Sequence, residues 1–133
     1  MLSEEDHRIV REAIRTVHAE EFADRPFTEI SDGQRQRLLL ARAVCQEPEV
    51  IVLDEPTSFL DIRHKLELLS ILRSMTKEKG ITVIMSLHEI DLAQKISDKI
   101  ICVKGEVISR FGAPSEVFSE EVIRPETGSG NRQ

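Results

Sequence analysis

Apolar residues recur with a helical period in the first third of the chain and form short continuous runs after it. The first set consists of Ile9, Val10, Ala13, Ile14 and Val17. Its spacing predicts an amphipathic helix over residues 3 to about 20, with Ser3 and Asp6 as a capping box at its start. A second helix is predicted from about 33 to 45, and it ends there because Pro48 follows. Between the two, the stretch 24–28 breaks the pattern and predicts a loop.

From residue 49 onward, β-branched apolar runs alternate with helical patterns. Strands are predicted over 49–54, 82–87, 99–103 and 107–110, and helices over 62–79, 89–96 and 114–118. The longest helix places Leu66, Leu69, Leu72 and Met75 on one face and ends at Gly80. This order predicts an α/β fold with a parallel sheet, preceded by a helical segment. The uncharged run at 50–53 is typical of a strand that is buried in such a sheet.

Composition and charge narrow the possible functions. The chain has 133 residues, is 40% hydrophobic and carries a net charge of −6, which argues against nucleic acid as its main partner. Arg35 and Arg37 are interpreted as a solvated helix face. Cys45 and Cys102 lack the spacing of a metal or redox motif. Because no apolar run approaches the roughly 18 residues that cross a bilayer, a cytoplasmic location is predicted.

Two adjacent carboxylates end the first predicted strand. Asp54 and Glu55 follow the apolar run directly, and ligands of open α/β sheets bind outside the carboxyl ends of the strands. Magnesium is a natural partner for one carboxylate, and the other can then orient or deprotonate water. His88 follows the next strand and is expected at the same edge if the two strands are neighbours. Each residue also has a simpler interpretation, as a solvated or structural group, and it is their coincidence that favours chemistry.

Two further segments carry helix-capping signals. Ser31 and Gln34 form an S-x-x-Q capping box at a helix N-terminus, which favours anions, and Gly33 permits a close backbone approach. An ordinary helix cap explains the same residues. Asp61 is likewise either the N-cap of the 62–79 helix or a functional acid.

Three segments follow one another along the chain in the order ISDGQRQRLLLARA, VIVLDEPTSFLD and LHE. Together they resemble the nucleotide-binding domain of ABC-type ATPases. ISDGQ is similar to the signature motif of that family, VIVLDE to its Walker B segment, SFLD to its D-loop and His88 to its switch histidine. The resemblance runs from about residue 3 to 120. Residues 89–118 and the preceding helix look closest to the ATPase subunits of iron-siderophore, haem or cobalamin importers.

The resemblance implies that the chain takes part in ATP hydrolysis coupled to transport. Asp54 would help to hold Mg²⁺, Glu55 would polarise the attacking water and His88 would contact the γ-phosphate. Asp61 would communicate across a dimer of ATPase subunits.

The motif at the start of the second helix would act on the partner subunit. Ser31, Gly33 and Gln34 would contact the γ-phosphate of an ATP molecule that the partner mainly holds. The implied partners are a second ATPase subunit and transmembrane permease subunits, at the cytoplasmic face of the membrane. Asp32 stands where the family usually has a second glycine, and its carboxylate would repel a phosphate unless it turns outward or serves the helix N-terminus.

The sequence contains no G-x-x-x-x-G-K-[S/T] phosphate-binding loop. It therefore resembles the C-terminal part of such a domain: part of the helical subdomain over 1–47, the second half of the ATP-binding core over 48–122, and a flexible tail over 123–133. We expect no ATP hydrolysis by this chain alone. We also expect self-association, because the absent strand would leave an apolar sheet edge exposed.

Two other interpretations stay open. The C-terminal half of a DNA-repair or chromosome-organising ABC ATPase is usually preceded by coiled coil, and the sequence shows no sustained heptads. A non-catalytic remnant or split interaction module would pair with a partner that carries the phosphate-binding loop.

Overall fold

The structure, a computed structural model, describes residues 2–118 and divides into two units, Met1–Leu87 and His88–Gln133. The first unit contains α1 (Glu4–Thr16), a 3₁₀ turn (Phe27–Glu29), α2 (Asp32–Val44), β1 (Val50–Leu53), α3 (Ile62–Lys79) and β2 (Thr82–Met85). The second contains α4 (Ile90–Ile96), β3 (Ile100–Lys104), β4 (Val107–Gly112) and α5 (Pro114–Val117). Every predicted helix and strand is present, with ends that differ by a few residues. The predicted tail, 123–133, lies outside the described residues.

Helix α1 is shorter than the sequence predicts. It begins at a capping box in which Ser3 and Asp6 bond each other's backbone N–H groups, as expected. It ends at Thr16, because His18 adopts a left-handed backbone conformation with φ 56°. Val17 is nevertheless fully buried and Phe22 is 3% exposed, so these apolar residues join the core from a turn rather than from a helix.

The parallel pairing of β1 with β2 fixes the geometry of the strand ends. Val50 pairs with Thr82 and Leu53 with Met85, which confirms that the two predicted strands are neighbours. Strand β1 is not buried on both faces, however. Ile51 is 6% exposed, whereas Val52 is 72% exposed. The alternation of a strand sends these side chains to opposite faces, and within residues 2–118 only one of those faces is covered.

Helix α3 supplies the largest share of the core. Its buried residues are Leu68, Leu69, Ile71, Leu72 and Met75. Leu66, which was predicted on the same face, is 53% exposed. A repeat of three residues drifts around a helix that has 3.6 residues per turn, so the buried face includes Leu68 and Ile71 in its place. The helix ends at Gly80, whose φ of 68° only glycine adopts readily.

The second unit is built on an antiparallel hairpin. Strands β3 and β4 pair from Ile100 with Gly112 to Lys104 with Val107, around a turn at Gly105. The strands predicted over 99–103 and 107–110 are thus neighbours. A tight turn brings the next strand alongside at once, and β3 forms its ladder with that strand. Among residues 2–118, no helix is long and apolar enough to span a membrane.

Candidate functional site

Asp54, Glu55 and Ser86 meet at the carboxyl ends of β1 and β2. The register of the two strands brings Asp54 beside Ser86. The Ser86 hydroxyl donates a hydrogen bond of 2.8 Å to Oδ1 of Asp54 and accepts one of 2.8 Å from the backbone N–H of Glu55. Ser86 thus orients both predicted acidic residues. It was missed in the sequence, although its position directly after β2, opposite Asp54, could have indicated it.

Glu55 is held in an unusual backbone conformation. Its φ is 48°, in the left-handed region that non-glycine residues rarely adopt. Its carbonyl accepts a bond of 3.1 Å from the N–H of Ser58, and its Oε1 accepts another of 3.1 Å from the Ser58 hydroxyl. A strained residue that its neighbours fix from several sides is typical of functional sites. The side chain of Glu55 is consequently oriented before any ligand arrives.

The donor set at this edge suits Mg²⁺. Protein sites for Mg²⁺ commonly provide only one or two carboxylates, and water and substrate phosphates complete the shell. Asp54 is an exposed carboxylate at the strand end, and Ser86 fixes one of its oxygens. No group of three or more His, Cys, Asp or Glu side chains with metal-ligand geometry occurs among residues 2–118. Asp54 therefore fits an ion that a nucleotide would bring with it.

The predicted position of His88 beside Glu55 stays a prediction. His88 is exposed and opens the second unit, between the end of β2 and the start of α4. Asp54, Glu55 and Ser86 belong to the first unit.

At the start of α2 the predicted capping box is complete. The Ser31 hydroxyl accepts a bond of 3.1 Å from the Gln34 N–H, and Oε1 of Gln34 accepts one of 3.0 Å from the Ser31 N–H. Each side chain keeps a donor after these bonds are made, because a hydroxyl can also donate its proton and the amide of Gln34 carries an NH₂ group. The first N–H groups of a helix, here including that of Gly33, have no partner within the helix. The motif therefore offers donors to an anion while its cap stays intact.

The carboxylate of Asp32 faces solvent and is paired with Arg35. Its side chain is 82% exposed, and its Oδ1 accepts a bond of 2.8 Å from Arg35, one turn along the helix. The same guanidinium donates to the carbonyl oxygens of Phe27 and Thr28, at 2.9 and 3.3 Å. Of the two arrangements that the sequence left open for Asp32, the structure thus shows the outward one.

Arg35 and Arg37 do not form the solvated face that the sequence suggested. Besides its bonds to the loop before α2, Arg35 lies 5.6 Å from the ring centre of Phe27. The Arg37 side chain is 12% exposed, lies 5.0 Å from the ring centre of Phe22 and bonds Glu67 of α3 at 3.3 Å. Planar guanidinium groups stack on rings and bond several oxygens at once, so both residues hold α2 to its surroundings.

Asp61 is the N-cap of α3. Its Oδ1 accepts a bond of 2.9 Å from the backbone N–H of His64 and another of 2.8 Å from the Nδ1 of the same residue. These two contacts, the backbone bond first, hold the pKa of Asp61 below its ordinary value. His64 was missed in the sequence, although its place three residues after Asp61 is a cap-contact position.

Helix α2 and the loop after β1 are in contact within the first unit. The side-chain amide of Gln36 donates to the carbonyl oxygen of Pro56. At the start of the helix, the ring of His64 lies close to Gly33, and a Cβ added there would lie 3.5 Å from Cδ2 of the ring. The structure therefore brings together the two cap motifs that were predicted separately.

Comparison with known proteins identifies the family. The family model described as ABC transporter matches residues 2–58. An uncharacterized ABC transporter ATP-binding protein of Methanocaldococcus jannaschii is 43% identical over 92% of this chain and 42% of its own length. The chain belongs to the ABC transporter ATP-binding family. The iron(3+)-hydroxamate import ATP-binding protein of Bacillus subtilis is 37% identical over 92% of this ABC chain and 46% of its own length.

Solved ABC structures share the fold of this chain. An inward-facing ABC transporter, described as of the metal-chelate type, superposes with a TM-score of 0.84 at 29% identity, over 93% of this chain and 50% of its own. A dimeric ABC cassette, MJ0796, bound to ADP and Pi, gives a TM-score of 0.70 at 29% identity, over 86% of this chain and 50% of its own. The chain thus spans about half the length of the ABC proteins that it matches. The predicted α/β fold, as part of a P-loop NTPase domain, is confirmed.

Proposed function

We propose that this chain provides the Walker B, D-loop and signature part of an ABC ATPase whose ATP hydrolysis drives import of an iron chelate or a related metal chelate. The observation that carries the proposal is the pair of oriented carboxylates at the carboxyl end of a parallel strand pair: Ser86 bonds the carboxylate of Asp54, and Ser58 bonds the carboxylate of Glu55. Membership of the ABC family supports the reaction. The import proteins among the relatives support the kind of cargo.

Asp54 would hold Mg²⁺, which supplies positive charge against the phosphates when it is bound. The Ser86 hydroxyl keeps the carboxylate of Asp54 turned toward the strand end. Glu55 would accept the proton of the attacking water on its carboxylate, which Ser58 holds in place. His88, the first residue after the first unit, would bond the γ-phosphate. Phosphoryl transfer depends mainly on such positioning and on neutralisation of charge.

The signature motif would act on ATP that is bound by a second ATPase subunit. The Ser31 hydroxyl, the Gly33 N–H and the side-chain NH₂ of Gln34 are the donors for the γ-phosphate, and Asp61 would contact the opposite subunit. Support comes from the capping box, which leaves those donors available, and from the dimeric cassette with ADP and Pi that this chain resembles.

Membership of the ABC transporter family also implies membrane-embedded partners. The ATPase would work with transmembrane permease subunits at the cytoplasmic face of the membrane. A DNA-repair ATPase and a non-catalytic module are not favoured, because the matched relatives include import ATP-binding proteins.

We further propose self-association of the chain on its own, because Val52 and Ile84 of the two-stranded sheet are 72% and 53% exposed. A monodisperse monomer in analytical ultracentrifugation would contradict this last point.

A chimera tests the proposed nucleotide site. An N-terminal half of an ABC ATPase, chosen because its sequence contains a G-x-x-x-x-G-K-[S/T] loop, is joined to this chain. By calorimetry we expect MgATP to bind the chimera, and the chain alone to show no hydrolysis. Ser31→Ala should weaken the dimer that ATP induces, measured by sedimentation, while leaving binding of ATP to the monomer unchanged. ATP hydrolysis by the chain alone, or an ATP-induced dimer that is indifferent to Ser31, would contradict the proposal.

A further inference from the structure

The loop that follows β1 contains a closed turn. The backbone N–H of Ser58 donates a bond of 3.1 Å to the carbonyl oxygen of Glu55, and Pro56 and Thr57 are the two central residues between them. Proline is favoured at the first of these positions. A type II turn would need a positive φ at Thr57, and Thr57 is not among the non-glycine residues of the range 2–118 that have one. The turn is therefore not of type II, in which the central peptide is flipped.

A side chain of α2 contacts the central peptide of this turn. The Gln36 amide donates to the carbonyl oxygen of Pro56, from a position 20 residues away in sequence. A carbonyl oxygen only accepts hydrogen bonds, so the NH₂ end of the Gln36 side chain faces the turn. A flip of the central peptide would point this oxygen away from Gln36. It would also force Thr57, which is β-branched and 2% exposed, into a left-handed conformation. Gln36 and Thr57 thus both oppose the flip.

The same turn holds the Glu55 carboxylate. Glu55 and Ser58 are its first and last residues, and the Ser58 hydroxyl donates a bond of 3.1 Å to Oε1 of Glu55. The shape of the turn therefore sets how far this hydroxyl lies from this carboxylate. A turn that opens or flips would move Ser58 away from Oε1 of Glu55. Gln36 is consequently connected to the Glu55 carboxylate through observed contacts alone.

We propose that Gln36 is a positioning residue for Glu55. Its bond to Pro56 keeps the turn closed, and the closed turn keeps the Ser58 hydroxyl on the Glu55 carboxylate. The importance of this bond for catalysis rests on the function proposed above, in which Glu55 accepts the proton of the attacking water. The effect on the turn is a property of this chain and needs no nucleotide.

Amide hydrogen exchange, measured by NMR on the 133-residue chain, tests the effect on the turn. Gln36→Met keeps a long side chain but removes the donor. We expect the Ser58 N–H to exchange about fivefold faster relative to the amide of Ile71, because one ordinary hydrogen bond changes an opening equilibrium by about that factor. Ile71 is fully buried in α3, so its amide reports opening of the whole unit. Gln46→Met, at an exposed position after α2, is the matched control and should change neither rate.

A second variant keeps the test valid if Gln36→Met does not fold. Gln36→Asn retains the amide but is one methylene shorter, so it should also fail to reach Pro56 and should accelerate exchange at Ser58. Equal acceleration at Ser58 and Ile71 would mean that Gln36 stabilises the fold without holding the turn. Unchanged exchange at Ser58 would mean that the bond to Pro56 is dispensable. Either result would overturn the proposal.

The chimera with its phosphate-binding loop tests the consequence for catalysis. We expect Gln36→Met to lower kcat by about ten- to hundredfold, because small displacements of a catalytic group have effects of this size, and to leave the affinity for MgATP unchanged. In the Glu55→Gln background the same substitution should cause no further fall, because it acts only through that carboxylate. An equal fall in both backgrounds would overturn the proposal.

Failure of this inference and failure of the proposed function give different results. A chimera that binds no MgATP would contradict the proposed function, while exchange at Ser58 would still decide whether Gln36 holds the turn. A chimera whose turnover depends on Glu55 and not on Gln36 would overturn the inference and leave the proposed function standing.

Discussion

Removal of the Ser86 hydroxyl tests the geometry of the strand-end site. The substitution Ser86→Ala deletes one oxygen that makes two bonds of 2.8 Å, one to the Asp54 carboxylate and one from the Glu55 N–H. It thereby frees the Asp54 carboxylate and the backbone N–H of Glu55 at once. The alanine leaves β2 itself unchanged, because the strand ends at Met85.

The size of the effect follows from the exposure of the partners. An intramolecular hydrogen bond contributes about 0.5–1.5 kcal/mol, and a bond to a charged group about 1.5–3 kcal/mol. Asp54 and Ser86 are both exposed, so water replaces part of what is lost. We therefore expect Ser86→Ala to lower the free energy of unfolding by about 1–2 kcal/mol, which is a decrease of about five- to thirtyfold in the folding equilibrium constant.

Urea unfolding at pH 7 measures this change, and the amide resonance of Glu55 reports it locally. Ser70→Ala, at an exposed position of α3, is the matched control and should change the free energy by no more than about 0.5 kcal/mol. Ser86→Thr retains the hydroxyl and should recover part of the loss. If Ser86→Ala has no larger effect than the control, or leaves the Glu55 amide unshifted, the hydroxyl does not hold this site together.

Three other substitutions test separate parts of the account. Phe59 has a φ of 67° and is fully exposed, so Phe59→Asn should raise the free energy of unfolding by about 0.5–1 kcal/mol in urea, because asparagine tolerates this conformation and no packing is lost. Arg37→Lys should lower it by about 1 kcal/mol despite the unchanged charge, because lysine cannot reproduce the stacking on Phe22. The pKa of Asp61 is lowered in the folded chain, so the stability that its carboxylate contributes is present above the ordinary pKa of 3.8 and is lost as the pH falls through the lower folded pKa. Asp61→Asn should therefore remove this loss of stability in acid. Urea midpoints measured between pH 5 and pH 2.5 test this.

Local signals predicted the elements of this chain well. The capping boxes at Ser3 and Ser31 and the glycine end of α3 depend on residues that are adjacent in sequence, and all three occur as predicted. The strand-end position of Asp54 and Glu55 could also be inferred, because an uncharged β-branched run that stops at two acids indicates both the strand and its end.

Features that depend on tertiary packing could not be predicted in the same way. The exposure of Leu66 depends on which face of α3 meets the sheet, and the exposure of Val52 on what covers β1. Arg37 looks solvent-facing in a helical pattern, yet the turn after α1 brings Phe22 beneath its guanidinium. Ser86 becomes significant only once the parallel register places it beside Asp54. In each case the deciding neighbour lies far away in sequence.

In the proposed function, Glu55 activates the water that attacks ATP. The most direct test is steady-state ATP hydrolysis by the chimera with its phosphate-binding loop, comparing Glu55→Gln with Glu49→Gln. The two glutamates flank β1 at opposite ends, with Glu55 at the proposed site and Glu49 at the other end of the strand. The same change from carboxylate to amide is therefore made once at the site and once away from it. We expect Glu55→Gln to reduce turnover by about 10²-fold or more while MgATP still binds, and Glu49→Gln to retain turnover. Equal turnover in the two variants would contradict the proposed role of Glu55.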